Sequence, residues 1–503
     1  MLVDVPRVRL IVGLLVSFPA VGLAAGQSTR SAAVHTSEAG ALPTPVRLAI
    51  IHEAAQSEGW QSQREMLRAH AREAFATDKL TAASAWLRVY RWAELLGRTE
   101  AEVVPAWIDA VNRTGVGHSG MATQYRIEPQ QLSLSVTPAL QAWLIGHIDF
   151  AEEFFSLIQP VDYLPGVLSI LSDLHRHDAK RFEAYASLAL AIAVVYDVPP
   201  PPDWPHGQVT PKILPRKWPD PKETFDWLAK QDELGRTQHS LRRLRADELK
   251  FVIDLATPFE ELEWAQAAVS LPLNRLESAY SMVRYRKERL ASDDWNWSEQ
   301  DYALETILTK GGICVDQAYF ASAVGKSRGV PTLFFQGVGD NGRHAWFGFL
   351  GAAQQWHFNA GRYAEQRYVT GFARDPQTWR LSSDHDLKLL IDRSRSSTHY
   401  RQSLVLTEFA SEFLKDGEAA SAYGAARKAV NYNLRNRPAW EILLAAEAAL
   451  GVGYQQREAS LREAMRAFVH YPDLEVLYSK RISESLRNRG ETSAADFEQR
   501  RIE

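Results

Sequence analysis

The chain has one cysteine, Cys314, and its setting is suited to chemistry. Gly311-Gly312-Ile313 lead into it, and Val315, Ala318, Tyr319, Ala321, Ser322 and Val324 follow at spacings that predict a helix from Cys314 to Arg328. The paired glycines allow a sharp entry into that helix. Cys314 is then expected in the first turn, where unpaired N–H groups and the helix dipole favour an anion and lower the thiol pKa. His344 lies 30 residues on, at the start of a predicted strand, and Asn359 lies 15 residues further, at the end of the next. In a hairpin the two can be neighbours, so Asn359 could orient the imidazole of His344. A thiolate, an imidazole and an orienting amide together attack an acyl carbonyl and pass through a thioester. Gln336 and Trp297 are candidate oxyanion or acyl-pocket groups. A lone Cys is most often a small buried hydrophobe, and a lone His a satisfied core residue; the glycines, the helix start and the paired His weigh against both. His175, His177 and Asp178 form too incomplete a set to hold a metal, and no phosphate loop is present, so no metal or cofactor is expected.

Several segments carry a family resemblance. Gly311-Gly312-Ile313-Cys314-Val315-Asp316-Gln317-Ala318 resembles the opening of the transglutaminase-like core, and Ser327-Arg328-Gly329-Val330-Pro331 resembles its helix exit. His344-Ala345-Trp346 is similar to the family's His-Ala-Trp strand, and Trp356 to Asn359 to its closing strand, which usually ends in Asp. Papain-type sites place Asn in that role, which holds the ring without adding charge. The match covers residues 295–375. It implies a transglutaminase-like (papain-type) thiol enzyme acting on the amide bonds of a protein or peptide through Cys314, His344 and Asn359. Hydrolysis is favoured over transfer to an amine. The alternative is an exported scaffold whose thiol fold is idle and whose helical arms bind proteins.

The elements that must position these groups are few. Thr332–Val338, His344–Leu350 and Trp356–Asn359 read as strands, joined by turns at 339–342 and 351–355. The rest reads as helix, giving an α+β chain that is predominantly helical. Residues 46–197 form an N-terminal helical domain, with Trp86, Leu87, Tyr90, Trp92 and Leu95 on one stripe. The apolar run Ala184–Val195 is too short to span a bilayer and suits a buried helix. Residues 198–221, opening on four consecutive prolines, are a linker or a strap, and Trp204 and Trp218 favour the strap. Residues 222–400 hold the transglutaminase-like domain. From 401 to 503 a period of 34 appears, linking Gly417 to Gly451, Ala425 to Ala459 and Pro438 to Pro472. It resembles tetratricopeptide repeats, about two units, which implies a protein partner.

Residues 1–25 read as a secretory signal and 26–45 as a disordered lead-in, so the protein is expected in the periplasm or secreted. With one Cys no internal disulfide can staple it. Hydrophobic residues make up 46% of the chain, enough for sizeable cores. A net charge of -4 with no basic run gives no electrostatic footprint for nucleic acid.

Overall fold

The computed structural model describes residues 40–114, 129–292, 295–339, 342–363, 370–390, 392 and 397–501. The proposed signal and residues 26–39 of the lead-in lie outside them. The chain is α+β, mostly helical, with one small antiparallel sheet. The N-terminal helices are α1 (Pro45–Glu58), α2 (Trp60–Ala76), α3 (Leu80–Leu96), α4 (Glu100–Thr114), α5 (Pro138–Gly146), α6 (Ile148–Leu157), α7 (Leu164–His177), α8 (Ala179–Ala184) and α9 (Ala186–Tyr196). Their starts follow local chemistry: Thr44 and Thr137 accept from the backbone N–H three residues on, each just before a proline in the first turn. The apolar run Leu188–Tyr196 in α9 is buried throughout, the centre of this core. Among the described residues no helix is long and apolar enough to cross a membrane.

The proline-rich segment is a strap. Trp218 stacks on Tyr196 with ring centres 4.8 Å apart, and Trp204 is buried beside it. Arg216 donates to the carbonyls of Trp204, His206, Val209 and Leu214, which satisfies a backbone that has no ladder of its own.

After the strap come α10 (Pro221–Glu233), α11 (Ala246–Ile253), α12 (Phe259–Ala268), α13 (Ser278–Met282), α14 (Lys287–Ala291), α15 (Leu304–Lys310) and α16 (Cys314–Ser327). The sheet follows: β1 (Thr332–Gly339), β2 (Gly342–Leu350), β3 (Trp356–Ala360), β4 (Gly371–Arg374) and β5 (Leu381–Ser383), in spatial order β3-β2-β1-β4-β5. The first three match the expected strands; β4 and β5 extend the other edge. Helix α16 packs across β1 and β2. Ser322 of α16 bonds Thr332, and Thr332 lies opposite Phe349, so Phe349, Phe347 and Ala345 share the face that meets α16. His344 and Trp346 leave β2 on the other face, with α17 (Asp384–Leu390) following the sheet.

The C-terminal helices are α18 (Thr398–Lys415), α19 (Ala419–Tyr432), α20 (Arg437–Ala449), α21 (Tyr454–Ala467), α22 (Pro472–Arg487) and α23 (Thr492–Arg500). They form three helical hairpins rather than the two expected. Each turns at a glycine with positive φ: Gly417 (+78°), Gly451 (+67°) and Gly490 (+80°). The third turn comes 39 residues after the second, which breaks the period of 34 and hid it. Helix α18 docks on the N-terminal helices: Phe409 stacks on Phe75 with centres 4.3 Å apart, Arg68 and Arg72 pair with Asp416, and Arg88 pairs with Glu408.

Candidate functional site

Cys314 is the first residue of α16. The turn into it is held by a short parallel bridge. Gly312 N–H donates to the Arg284 carbonyl, and Arg286 N–H donates to the Gly312 carbonyl. Gly311 sits at φ +78°, and a Cβ there would come within 2.4 Å of the Arg284 carbonyl oxygen, so only glycine fits. The sulfur meets the backbone N–H of Ala345 at the edge of β2, next to His344. At that edge β3 is irregular. Its register shifts between Phe347 and Phe349, and Tyr280 of α13 fills the gap, donating to the Ala345 carbonyl at 2.9 Å.

The imidazole of His344 lies 6.5 Å, centre to centre, from Tyr280 and stacks on Tyr363 at 4.1 Å and on Trp346 at 5.8 Å. Its Nε2 is 2.8 Å from the carbonyl oxygen of Gly361. A carbonyl only accepts, so Nε2 carries the proton and the lone pair of the neutral ring is on Nδ1. Tyr280 and Tyr285 both lie within electrostatic reach of Cys314 and of Tyr363. Tyr280 is the group common to both: its ring is 6.5 Å from the imidazole, and its hydroxyl bonds the carbonyl of Ala345, whose N–H meets the sulfur.

Two expectations need correction. The first concerns Asn359. It is exposed, and its Oδ1 accepts from Arg362 Nη1 at 3.0 Å; the group that meets His344 Nε2 is the Gly361 carbonyl, two residues later. The shifted register of β3 is the cause, because it turns the Asn359 side chain outward and brings the next turn's backbone to the ring. Arg362 in turn pairs with Asp384 at 3.1 Å and lies over the Trp346 ring. The second concerns charge. Burial pushes the Cys314 thiol up and outweighs the Ala345 and helix-start N–H groups, and the carboxylate of Asp316 adds to the rise. Burial likewise pushes His344 down, helped by the Arg362 cation and opposed by the Gly361 carbonyl. The resting pair is a neutral thiol and a neutral imidazole. Cys314 is 7% exposed and His344 4%.

The other candidates divide. Gln336 is exposed and lies directly opposite Ala345 on the α16 face of the sheet, one strand from the sulfur's contact. Trp297 is buried, its Nε1–H is spent on the Asp301 carbonyl at 2.6 Å, and Arg289 covers its ring, so it is a wall rather than an oxyanion donor. His175 stacks on Phe182 at its edge, and His177 pairs with Asp226, apart from one another. Among the described residues no group of three or more His, Cys, Asp or Glu side chains is arranged to hold a metal.

Sequence reasoning missed Tyr280, Gly361 and the support of the helix start. Tyr280 comes from a helix of five residues with no motif around it. Asp316 was legible as the acidic third residue of a helix, able to reach back to the N–H before it. Comparisons with family models, with curated proteins and with solved structures found no match.

Proposed function

We propose that the protein is a transglutaminase-like thiol enzyme that cleaves amide bonds of a protein or peptide through Cys314 and His344. The observation that carries the reading is the one thiol of the chain at a helix mouth, against the N–H that follows a histidine whose tautomer leaves Nδ1 as a base. In this reading His344 is a general base, not half of a standing ion pair. As Sγ bonds the substrate carbonyl carbon, its proton passes to Nδ1. The tetrahedral intermediate expels the amine, which takes that proton, and a thioester remains. Water then gives a proton to Nδ1 as its oxygen bonds the carbonyl carbon, the C–S bond breaks, and the proton returns to sulfur. The Cys314 N–H at the helix start and the Gln336 amide are the donors for the oxyanion. The Gly361 carbonyl holds the ring through both steps.

The deep burial of both groups favours a second reading, an idle thiol fold in a chain that binds proteins through its helical arms. Acylation by an activated ester separates the two. On the first reading, p-nitrophenyl acetate leaves an acetyl thioester on Cys314, seen by intact mass, which turns over and is lost in Cys314→Ala and greatly slowed in His344→Ala. No adduct on the folded wild type, or equal rates with and without His344, rejects the enzyme reading in favour of the second.

A further inference from the structure

The start of α16 rests on a buried polar network that the reaction does not itself use. Asp316, 1% exposed, stands one half-turn past Cys314. Its Oδ2 accepts from the Ile313 N–H at 2.8 Å and from Arg289 Nη1 at 2.9 Å, and its Oδ1 accepts from the Tyr302 hydroxyl at 2.8 Å. Tyr302 Oη is 3.0 Å from Nε2 of His206, which burial pushes down to about 3. His206 is thus neutral, and since Tyr302 gives its proton to the carboxylate, Nε2–H of His206 donates to Tyr302. Arg289 also grips the carbonyls of Trp295 and Asn296 at 3.0 and 2.8 Å. The fit is tight: a Cβ on Gly312 would come within 2.3 Å of the Asp316 side chain.

Stability alone is a poor explanation for this arrangement. A Ser or Thr before the helix would cap it at far lower desolvation cost, and a buried ion pair is on balance a weak stabiliser. The charge also works against ionising the nearby thiol. What the network does supply is position. It ties the residue before Cys314 to the strap through His206, to α14 through Arg289, and to the α15 approach through Tyr302.

We propose that Asp316 is a positioning residue, which by accepting from Ile313, Arg289 and Tyr302 fixes the mouth of α16 so that the Cys314 sulfur is held at the Ala345 N–H beside His344. The proposal rests on the thiol-enzyme reading. Attack on a carbonyl needs sulfur, base and oxyanion donors in register, and a misplacement of about 1 Å costs on the order of a hundredfold. Alkylation by a small electrophile needs no such register. The titratable groups within electrostatic reach of the sulfur are Tyr280, Tyr285 and Asp316, and of these only Asp316 changes in the test below.

The experiment compares two rates at Cys314, acetylation by p-nitrophenyl acetate and alkylation by iodoacetamide, in the full chain. Peptide mapping assigns each adduct to Cys314, the one cysteine. Asp316→Asn, confirmed folded by circular dichroism and thermal melting, is expected to acetylate at least about tenfold more slowly. Its alkylation should be unchanged or faster, since a negative charge beside the thiol is gone. Asp316→Glu should recover part of the ratio. Tyr302→Phe, which removes one of the three donors, should shift the ratio the same way by less, and it keeps the test open if Asp316→Asn does not fold. Unchanged ratios in the folded variants, or both rates falling in proportion, overturn the proposal. Acetylation that depends on His344 but not on Asp316 removes this proposal alone; wild-type acetylation that does not depend on His344 removes the enzyme reading beneath it.

Discussion

Gly361 is the residue on which the orientation of His344 turns, and Gly361→Ala tests that placement quantitatively. Gly361 has φ +87°, and a Cβ there would lie 2.6 Å from Cδ2 and Cε2 of Tyr280. An L-residue in the left-handed region costs about 1–2 kcal/mol, and forcing a methyl into a packed ring costs about 1–3 kcal/mol more. The sheet unit should therefore lose roughly 2–5 kcal/mol. Urea unfolding with pulsed alkylation reads this locally, because buried Cys314 is alkylated faster once its helix leaves β2. The two contributions separate in a double-mutant cycle with Tyr280→Ala. Without the ring only the backbone cost remains, so the coupling between the sites should be about 1–3 kcal/mol. A Gly361→Ala protein within about 0.5 kcal/mol of wild type, or a cycle with no coupling, would refute the packing of Tyr280 on the turn that carries the Gly361 carbonyl.

Arg289→Ala strands the Asp316 carboxylate in the interior and should cost about 3–5 kcal/mol, read by the same pulsed alkylation in urea. Asn359→Ala should leave stability within about 0.5 kcal/mol and acetylation of Cys314 near wild type, since the Gly361 carbonyl and not this side chain meets the ring; a large loss of acetylation would restore Asn359 to the mechanism. Asp162, which with Gln377 joins the N-terminal helices to the segment after β4, is pushed by burial from 3.8 up to about 7. A carboxyl raised in the folded state holds its proton there while the unfolded chain gives it up, so its contribution to stability is lost as pH rises from about 4 to about 7. Asp162→Asn, which keeps the acceptor for Gln377, should flatten this part of the urea-midpoint profile relative to wild type; an identical profile in both proteins contradicts it.

Much of the architecture was legible because it rests on local signals. The paired glycines before Cys314 and the Gly-Val-Pro after Arg328 bound α16 to within a residue. Alternating runs mark β1 to β3, while β4 and β5, of four and three residues, are too short to show a period and exist by pairing with β1 and with each other. The tryptophans of the strap announced its burial. Partners at long range were not legible. The shift in β3 that turns Asn359 outward is a property of the pairing, and the arrival of Tyr280 at Ala345 depends on how α13 packs. The charge state of Cys314 is hidden from the sequence for a related reason. The helix start was visible in the sequence, but the depth of burial that opposes it was not.

The account stands on sulfur and imidazole forming one unit, and nitrogen NMR of the His344 ring, in protein labelled at histidine, reads that most directly. The prediction is a neutral ring protonated at Nε2 and bare at Nδ1, with the Nδ1 resonance moving when Cys314 is replaced by alanine. A ring protonated at Nδ1, or one whose nitrogens do not respond to loss of the sulfur, would contradict it.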